Sequence, residues 1–514
     1  MSQRVNNSIR NSFYSIVANI VTIGFAFISR TVFIYCLNED YLGVNGLFTN
    51  IISLLSLAEL GVGTAIIYNL YKPLAEKNKV LIRQLVYFYK KVYFIIGYFI
   101  LFIGIIMSFF IVNFMKEVPD ISNLNLIFCL FVFNTVISYF FSYNITLLEA
   151  DQKQYIVSKI RMYSNIVQNI LQIIILLAMK NYILYLLVQI FFTITQNYIL
   201  SKKAVKNYPY IKEKETCSLD KSIIGNIKKN TLALILHKIG SIVISSTDNL
   251  VISKFIGISM VGIYSNYCLV INSMTKLLTQ LFSALTASVG NLINSSSNQH
   301  KEDIFFRLFF INFWIYSCVT ITLLCLINPF IKIWIGKKML LDISTVLIIC
   351  INFFIFGIRR TVLIFRDAEG LYWNDRFKPV IESIINLVIS VILVKKIGIK
   401  GVFIGTLVSS ITTCLWMEPY VLIKNKFYNY KNVLKKYFSL LLHYLIVLSV
   451  LGVINSYYVS MITFNSIADL IFAALSSLMI SNFILFVIFR KDENFKWIYK
   501  TISLKVLHYR KISR

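Results

Sequence analysis

Fourteen apolar stretches follow one another along this chain of 514 residues. An α-helix needs about 20 predominantly apolar residues to cross the hydrocarbon core of a bilayer. The stretches cover residues 14–37, 42–68, 92–113, 124–147, 155–178, 182–201, 231–254, 262–292, 304–327, 341–365, 379–396, 400–423, 437–455 and 466–489. Charged residues make up only 14% of the chain, against about 25% in soluble proteins. The sequence therefore predicts an all-α polytopic membrane protein with about 14 transmembrane helices.

The basic residues predict how these helices are oriented. Cytoplasmic loops of membrane proteins retain Lys and Arg, and most of the 51 Lys and Arg residues fall on the side of the membrane that holds the N-terminus. With an even number of helices, both termini are then cytoplasmic in a multi-pass protein of the cell membrane. The net charge of +28 follows from this distribution and favours contact with anionic membrane lipids, so we expect no nucleic-acid partner.

A weak repeat divides the chain into two related parts. Arg10–Ser12, before the first apolar stretch, is matched 219 residues later by Lys229–Thr231. Tyr41–Gly43 is matched at the same distance by Met260–Gly262. The repeat unit holds six helices, an even number, so both copies enter the membrane in the same direction. We therefore expect two parallel lobes related by an axis along the membrane normal.

Domain boundaries follow from this repeat and from the charged segments between the apolar stretches. They are an N-terminal six-helix lobe over 1–205, a cytoplasmic linker over 206–228, a C-terminal six-helix lobe over 229–430, two additional transmembrane helices over 431–490 and a basic cytoplasmic tail over 491–514. The first apolar stretch lacks a small-residue cleavage site, so we expect a retained helix and not a removable signal peptide.

Charged residues inside the apolar stretches are the candidate functional positions. A charge at the centre of a bilayer costs about 2.5 to 3.5 kcal/mol, so such residues usually face a bundle interior or a watery cavity. Among them, the basic candidates are Arg30, Lys238, Lys276 and Arg359, and the acidic candidates are Glu59 and Asp248. Asn272, Lys276 and Thr279 fall within an arc of about 80° on a helix, as one polar stripe. A structural ion pair, such as Arg30 with Asp248, is the alternative interpretation.

No pattern in the sequence indicates catalysis or a bound cofactor. The eight Cys include no CxxC pair and the four His are far apart, which disfavours a disulfide framework and a metal site. There is no GxxxxGK phosphate loop, so any transport is secondary or facilitated. The predicted outer loops are short, which disfavours a membrane glycosyltransferase or polymerase. We expect no enzyme activity, no catalytic residues, no metal and no cofactor.

Several short motifs carry a resemblance to a known family. They are Tyr41–Gly46 followed by Leu57–Gly63, Asp248–Asn249 followed by Gly257 and Val261–Tyr264, and the turn Ala368–Gly370. In these motifs the chain resembles bacterial polysaccharide exporters, the O-antigen and capsule repeat-unit flippases of the multidrug, oligosaccharidyl-lipid and polysaccharide exporter superfamily. The likeness spans nearly the whole chain, including the two additional C-terminal helices.

The resemblance implies two lobes that rock between inward-open and outward-open states. The implied substrate is an undecaprenyl-diphosphate-linked oligosaccharide, moved to the outer leaflet for capsule, O-antigen or other cell-surface polysaccharide. A cationic central cavity would bind the diphosphate, and the residues available for it are Arg30, Lys238, Lys276 and Arg359. A polysaccharide polymerase and other assembly proteins are the implied partners.

Other functions remain open on the same sequence. With no nucleotide site, transport would draw on an ion gradient, and Glu59 and Asp248 are the candidate carboxylates for the coupling ion. A peptidoglycan-precursor flippase and an ion-coupled multidrug antiporter share the architecture. An antiporter for cations would favour acidic cavity residues over basic ones. The alternative that is an enzyme and not a transporter is a membrane glycosyltransferase or polymerase.

Overall fold

The computed structural model describes residues 2–59, 62–213, 240, 242–243, 246–295, 297–371 and 373–500. Within these ranges the regular structure is helical, with no strand. The helices are α1 (Ser2–Cys36), α2 (Glu39–Leu55), α3 (Val62–Ala75), α4 (Lys79–Ser108), α5 (Leu124–Ala150), α6 (Gln154–Met179), α7 (Tyr182–Asn207), α8 (246–255), α9 (Ile258–Ser295), α10 (Asn298–Ile335), α11 (Ile343–Ile358), α12 (Arg360–Glu369), α13 (Lys378–Ile397), α14 (Ile399–Ser409), α15 (Leu415–Lys426), α16 (Tyr430–Ser460) and α17 (Ile467–Phe489).

Ten helical segments of the described chain are long and apolar enough to cross a membrane. Three further predicted spans correspond to α2 with α3, to α9 and to α13. The span predicted over 231–254 lies mostly outside the described residues, which show its last part as α8. The prediction of an all-α polytopic membrane protein is therefore confirmed, and a count of about 14 spans agrees with the helices. Their positions follow from the sequence because only a long apolar helix satisfies its backbone hydrogen bonds inside lipid.

In three of these spans, irregular backbone lies beside a charged residue. In the second predicted span α2 ends at Leu55, a 3-10 turn covers Ser56–Glu59, and α3 begins at Val62. Arg359 joins α11 to α12, and a π-helical turn over Ser410–Cys414 precedes α15, whose first turn holds Glu418. Irregular backbone at membrane depth is tolerated where it is buried in protein or lines a cavity, and π-turns often mark functional sites.

The contacts divide the chain into two compact units. Unit 1 comprises Met1–Leu269 with Arg376–Gly405, and unit 2 comprises Val270–Asp375 with Thr406–Arg514. These units are defined by contacts, whereas the two lobes are defined by the sequence repeat, and the lobe boundaries stay a prediction.

Each unit has a core rich in aromatic side chains. In unit 1, Phe48 of α2 packs edge-on against Phe128 of α5 with ring centroids 5.1 Å apart. In unit 2, Phe313 of α10 stacks on Tyr444 of α16 at 3.9 Å. Close packing and aromatic contacts, in place of a hydrophobic driving force, hold helices together inside lipid. The second contact shows that α16, one of the two additional helices, is an integral part of unit 2.

Candidate functional site

Arg30 is a cation of unit 1 without a carboxylate partner among the residues that the structure describes. It lies on α1, and its Nη1 donates a hydrogen bond of 2.7 Å to Oγ of Ser265 on α9. Its neighbours are the phenols of Tyr182 and Tyr185 and the thiol of Cys268. The ion pair with Asp248 that the sequence allowed is not formed.

Asp248 lies on α8, half-buried, and its charge acts on Tyr264 and Cys268 of α9. Arg30 also acts on Cys268, so the two charges share one neighbour without forming an ion pair. Lys238, the remaining predicted site residue of this region, lies outside the described residues. The role of Asp248 in ion coupling stays a prediction.

Arg359 of unit 2 is neutralised inside its own unit. Its Nε and Nη2 donate hydrogen bonds of 2.9 and 2.7 Å to the two carboxylate oxygens of Glu418 on α15. The Glu418 side chain is 0% exposed and that of Arg359 is 12% exposed. A buried bidentate pair of this kind satisfies both charges at once. The geometry gives Arg359 a structural partner, and its predicted contact with substrate stays untested.

Arg360, the next residue, points to a different neighbour. Its Nη2 donates a hydrogen bond of 2.8 Å to Oγ1 of Thr279 on α9. Its guanidinium carbon lies 4.8 Å from the centre of the Phe356 ring, and Tyr316 is a second aromatic neighbour. The Nε atom of Arg360 is buried and has no hydrogen-bond partner. Among the described residues no carboxylate pairs with Arg360, so no ion pair there compensates its positive charge inside a predicted span.

Lys276 lies on the same stripe of α9, one turn before Thr279. Residues three apart on a helix are neighbours, with about 5–6 Å between their Cβ atoms. The Lys276 side chain is exposed, and no ion pair with it forms within the described ranges. We call Lys276, Thr279 and Arg360 the Arg360 patch. It combines two uncompensated cations with a hydroxyl group, a combination that suits an anion such as a phosphate.

A polar cavity of about 460 Å³ lies inside unit 1, and we call it the Glu59 cavity. Its lining residues are Glu59, Gly63, Ile67, Tyr93, Ser138, Ser142, Ile145, Thr146, Glu149, Arg161, Gln196 and Asn197. Glu59 accepts a hydrogen bond from the hydroxyl of Tyr139, and Arg161 is the cation that faces Glu149. The cavity therefore holds two carboxylates and one guanidinium.

Two details describe the space and the polarity of this cavity. A Cβ atom at Gly63 would lie 3.1 Å from the Tyr93 hydroxyl and 3.5 Å from Oε1 of Glu59, so a glycine keeps the space free. Oε1 of Gln196 is buried without a hydrogen-bond partner. An acceptor with an unused lone pair beside carboxylates suits a small cation or a proton carried by water.

An apolar groove of about 580 Å³ lies in unit 2 between α9, α10 and α17. Of its fifteen lining residues, Thr322 is the single one with a hydroxyl group, and the others are aliphatic, aromatic or Met. Ile467, Leu470 and Ile471 of α17 form one side, so one of the two additional helices builds this groove. Its chemistry suits a hydrocarbon chain.

Sequence reasoning missed several residues that the structure brings into these sites. Arg360 and Glu418 were not among the predicted site residues, because the sequence gives no sign of which of two adjacent arginines is neutralised. Glu149 and Arg161 enter the Glu59 cavity from α5 and α6. Arg161 lies inside the fifth apolar stretch and Glu149 lies two residues after the fourth, and these positions were the available signal. The described residues contain no group of three or more His, Cys, Asp or Glu that could hold a metal ion.

Comparisons with known proteins give structural matches. No protein-family model and no curated protein sequence matches this chain. It is similar to the lipid II flippase MurJ in an inward closed conformation, with a TM-score of 0.65, 15% identity, and coverage of 94% of this chain and 99% of that chain. It is also similar to an inward-facing multidrug resistance MATE family transporter of the MOP superfamily. That match has a TM-score of 0.60 and 13% identity, and it covers 83% of this chain and 99% of that chain.

A third similar structure is the Vibrio cholerae MATE transporter VcmN in the bent form. That match has a TM-score of 0.56 and 12% identity, and it covers 85% of this chain and 98% of that chain. The chain therefore has the fold of the MOP superfamily transporters. A match over 94% of 514 residues must include part of 431–490, so the likeness to MurJ extends into the two additional helices.

Proposed function

We propose that this protein is a flippase that moves an anionic, lipid-linked oligosaccharide across the cell membrane by alternating access, for capsule, O-antigen or other cell-surface polysaccharide. The substrate class is an oligosaccharide on undecaprenyl diphosphate. The protein acts as a transporter and not as an enzyme. Both termini are cytoplasmic, and polysaccharide polymerase and other assembly proteins are the partners that take over the exported unit.

The observation that carries this proposal is the Arg360 patch. An uncompensated guanidinium within a membrane span is costly unless an anion binds to it, and its planar donors match a phosphate oxygen pair. Lys276 adds a second positive charge one helical turn away from Thr279. Arg30 in unit 1 is a further cation with only a hydroxyl partner among the described residues. A diphosphate that leaves water needs such charge-assisted hydrogen bonds.

The apolar groove supports a lipid as the carrier of that anion. A groove of about 580 Å³ with almost no polar atoms offers room for several isoprene units of a polyprenyl tail. It lies in the same unit as the Arg360 patch, so unit 2 holds sites for both chemical parts of the substrate.

Two alternatives keep the same fold. A peptidoglycan precursor carries the same polyprenyl diphosphate, so the Arg360 patch serves it equally, and the sugar decides between the two substrates. A multidrug antiporter for cations is favoured by the carboxylates of the Glu59 cavity alone. The cations of the Arg360 patch would repel a cationic drug, which disfavours such a drug as the substrate. We therefore propose that the Glu59 cavity binds the cation that drives export.

The test uses purified protein in vesicles that carry a labelled undecaprenyl-diphosphate oligosaccharide. An impermeant enzyme that degrades the oligosaccharide reports the fraction in the outer leaflet. We expect wild type to raise this fraction and Arg360→Gln to reduce the rate at least tenfold, while Lys337→Gln, which removes an exposed charge of unit 2, has no effect. Wild-type vesicles that behave like empty ones would refute the function, whereas an active Arg360→Gln variant would refute only the site.

A further inference from the structure

A second basic site lies in unit 1, away from the residues discussed so far. It is a groove of about 440 Å³ between the first turns of α6 and the last turns of α7. Its lining residues are Lys153, Tyr155, Ile156, Lys159, Ile160, Lys203 and Asn207. We call it the α6–α7 groove. None of these residues belongs to the Arg360 patch or lines the Glu59 cavity, so the proposed function does not account for it.

One of its three lysines is already neutralised. Nζ of Lys153 lies 2.7 Å from Oδ2 of Asp151 and 3.1 Å from the hydroxyl of Tyr208. The same Asp151 oxygen accepts a hydrogen bond from Tyr208. Burial, with the Asp151 carboxylate beside it, raises the pKa of Tyr208, so the phenol keeps its proton and remains a donor. Lys153 is thereby held at one end of the groove.

The other two lysines carry uncompensated charge. Lys159 and Lys203 are exposed, and neither forms an ion pair with any residue that the structure describes. They line one groove from different helices, so a ligand placed there lies beside both side chains. Two like charges facing one cavity repel each other, and an anion between them removes that repulsion.

The floor of the groove is apolar and fixed. Ile156 and Ile160 are four residues apart on α6, which places their side chains on one face in successive turns. Two residues of α1 contact Tyr155. Its backbone N–H donates a 2.7 Å hydrogen bond to Oδ1 of Asn11, and the Arg10 guanidinium lies 5.8 Å from the centre of its ring. A ligand here meets cations at the rim and hydrocarbon below them.

The position along the helices gives the depth of the groove. Gln154–Met179 and Tyr182–Asn207 are both long and apolar enough to span a membrane. The groove takes the first turns of one and the last turns of the other, so its residues lie at one end of both spans, where lysines reach the lipid phosphates. The distribution of basic residues assigns this end to the cytoplasmic leaflet.

We propose that the α6–α7 groove binds the phosphate headgroup of an anionic phospholipid of the cytoplasmic leaflet, with its glycerol and first acyl carbons on Ile156 and Ile160. A free phosphate ion would use the lysines alone and leave the apolar floor empty. The commitment to a bilayer lipid rests on the combination of cationic rim, apolar floor and interfacial depth. It holds independently of what the protein exports.

The test is native mass spectrometry of the full chain in detergent, with phosphatidylglycerol or phosphatidylcholine added. Wild type should retain phosphatidylglycerol in preference to phosphatidylcholine. Because each lysine near a headgroup contributes roughly the equivalent of a fivefold change in affinity, we expect Lys159→Gln with Lys203→Gln to weaken phosphatidylglycerol binding about 25-fold. The matched control is Lys431→Gln with Lys435→Gln. It also removes two exposed lysines from the side of the membrane that is predicted to be cytoplasmic, but it leaves the α6–α7 groove unchanged.

A third variant tests the direction of the effect. Asp151→Asn frees Lys153 while the amide oxygen still accepts from Tyr208, so it should tighten phosphatidylglycerol binding severalfold. Equal binding of the two lipids by wild type would overturn the proposal. So would equal losses in the double variant and its control, or retention of added inorganic phosphate in place of phosphatidylglycerol.

Discussion

Gly43 and Gly262 occupy reciprocal positions where α2 crosses α9. A Cβ atom on Gly43 would lie 2.1 Å from the carbonyl oxygen of Ile258, and one on Gly262 would lie 2.1 Å from the carbonyl oxygen of Glu39. Gly262 follows Gly43 by 219 residues, and Ile258 follows Glu39 by the same distance. Each glycine therefore faces the first residue of the other helix, as expected where two copies of a repeat meet about a two-fold axis.

A side-chain contact at this crossing also joins two residues with the same separation in sequence. Oγ of Ser259 donates a hydrogen bond to Oδ1 of Asp40, and these two residues are also 219 apart. Small residues let helix backbones approach closely inside lipid, and here the backbone of each helix occupies the space that a side chain of the other would need. The match of Tyr41–Gly43 with Met260–Gly262 thus has a physical reason in one shared contact.

The first prediction tests this crossing. Gly43→Ala or Gly262→Ala should lower the melting temperature in detergent by several degrees, because the added methyl group meets backbone that cannot rotate away, and overpacking costs about 1–3 kcal/mol. Gly24→Ala on α1 is the control, since nothing lies within 4 Å of its Cβ position. Equal melting temperatures for all three variants would show that the helices separate without cost.

The second prediction concerns the buried pair Arg359–Glu418. Glu418→Gln should sharply reduce the amount of protein in the membrane, because it removes the carboxylate that pairs with the buried Arg359 guanidinium, at a cost of about 3–5 kcal/mol. Replacing both residues together, as Arg359→Met with Glu418→Met, should restore much of the lost protein. Quantitative blotting of membranes measures both. Full abundance of Glu418→Gln would mean that the pair does not stabilise unit 2.

The third prediction concerns Lys276 in the Arg360 patch. Lys276→Ala should insert normally and lose most export, because the residue is exposed and no described residue pairs with it, so its removal leaves no buried charge. Lys276→Arg should retain part of the activity, since the charge survives while the donor geometry changes. Protein level and export are measured together. Normal export by Lys276→Ala would exclude the residue from substrate binding.

The fourth prediction concerns the Glu59 cavity. If a cation bound there drives export, collapsing the ion gradients should stop wild-type export, and Glu59→Gln or Glu149→Gln should export slowly whether or not a gradient is present. A potential of 100 mV supplies about 2.3 kcal/mol per charge, enough to bias the two conformations about fifty-fold. Glu302→Gln, which removes a carboxylate of unit 2, is the control. Wild-type export that ignores every gradient would contradict the coupling.

The fifth prediction concerns orientation. Single cysteines at Lys212, His300 and Asn494 should react with an impermeant reagent only from the cytoplasmic side, and those at Lys337 and Tyr458 only from outside, as the basic residues require. Labelling of intact cells and of inverted vesicles measures this. Labelling of the cysteines at Lys212 and Lys337 from the same side would contradict the arrangement of about 14 spans.

Apolar length and helical periodicity were enough to predict where the membrane helices lie. A bilayer accepts only long apolar helices, so the apolar stretches predict the helices that the structure describes. The helix ends are less well predicted, because α1 and α4 begin more than ten residues before the corresponding apolar stretches. Periodicity alone placed Lys276 and Thr279 on one face of α9, and both belong to the Arg360 patch. Charge within an apolar stretch was enough to select Arg30 and Glu59.

Which charges remain uncompensated depends on how distant helices pack. Arg359 and Arg360 are adjacent and chemically identical, but successive helical residues point about 100° apart, so one meets Glu418 and the other meets Thr279. Glu418 is 59 residues from its partner, and no local pattern in the sequence indicates the pair. The partner of each charge is set by contacts between helices that are far apart in the chain, and local sequence does not encode those contacts.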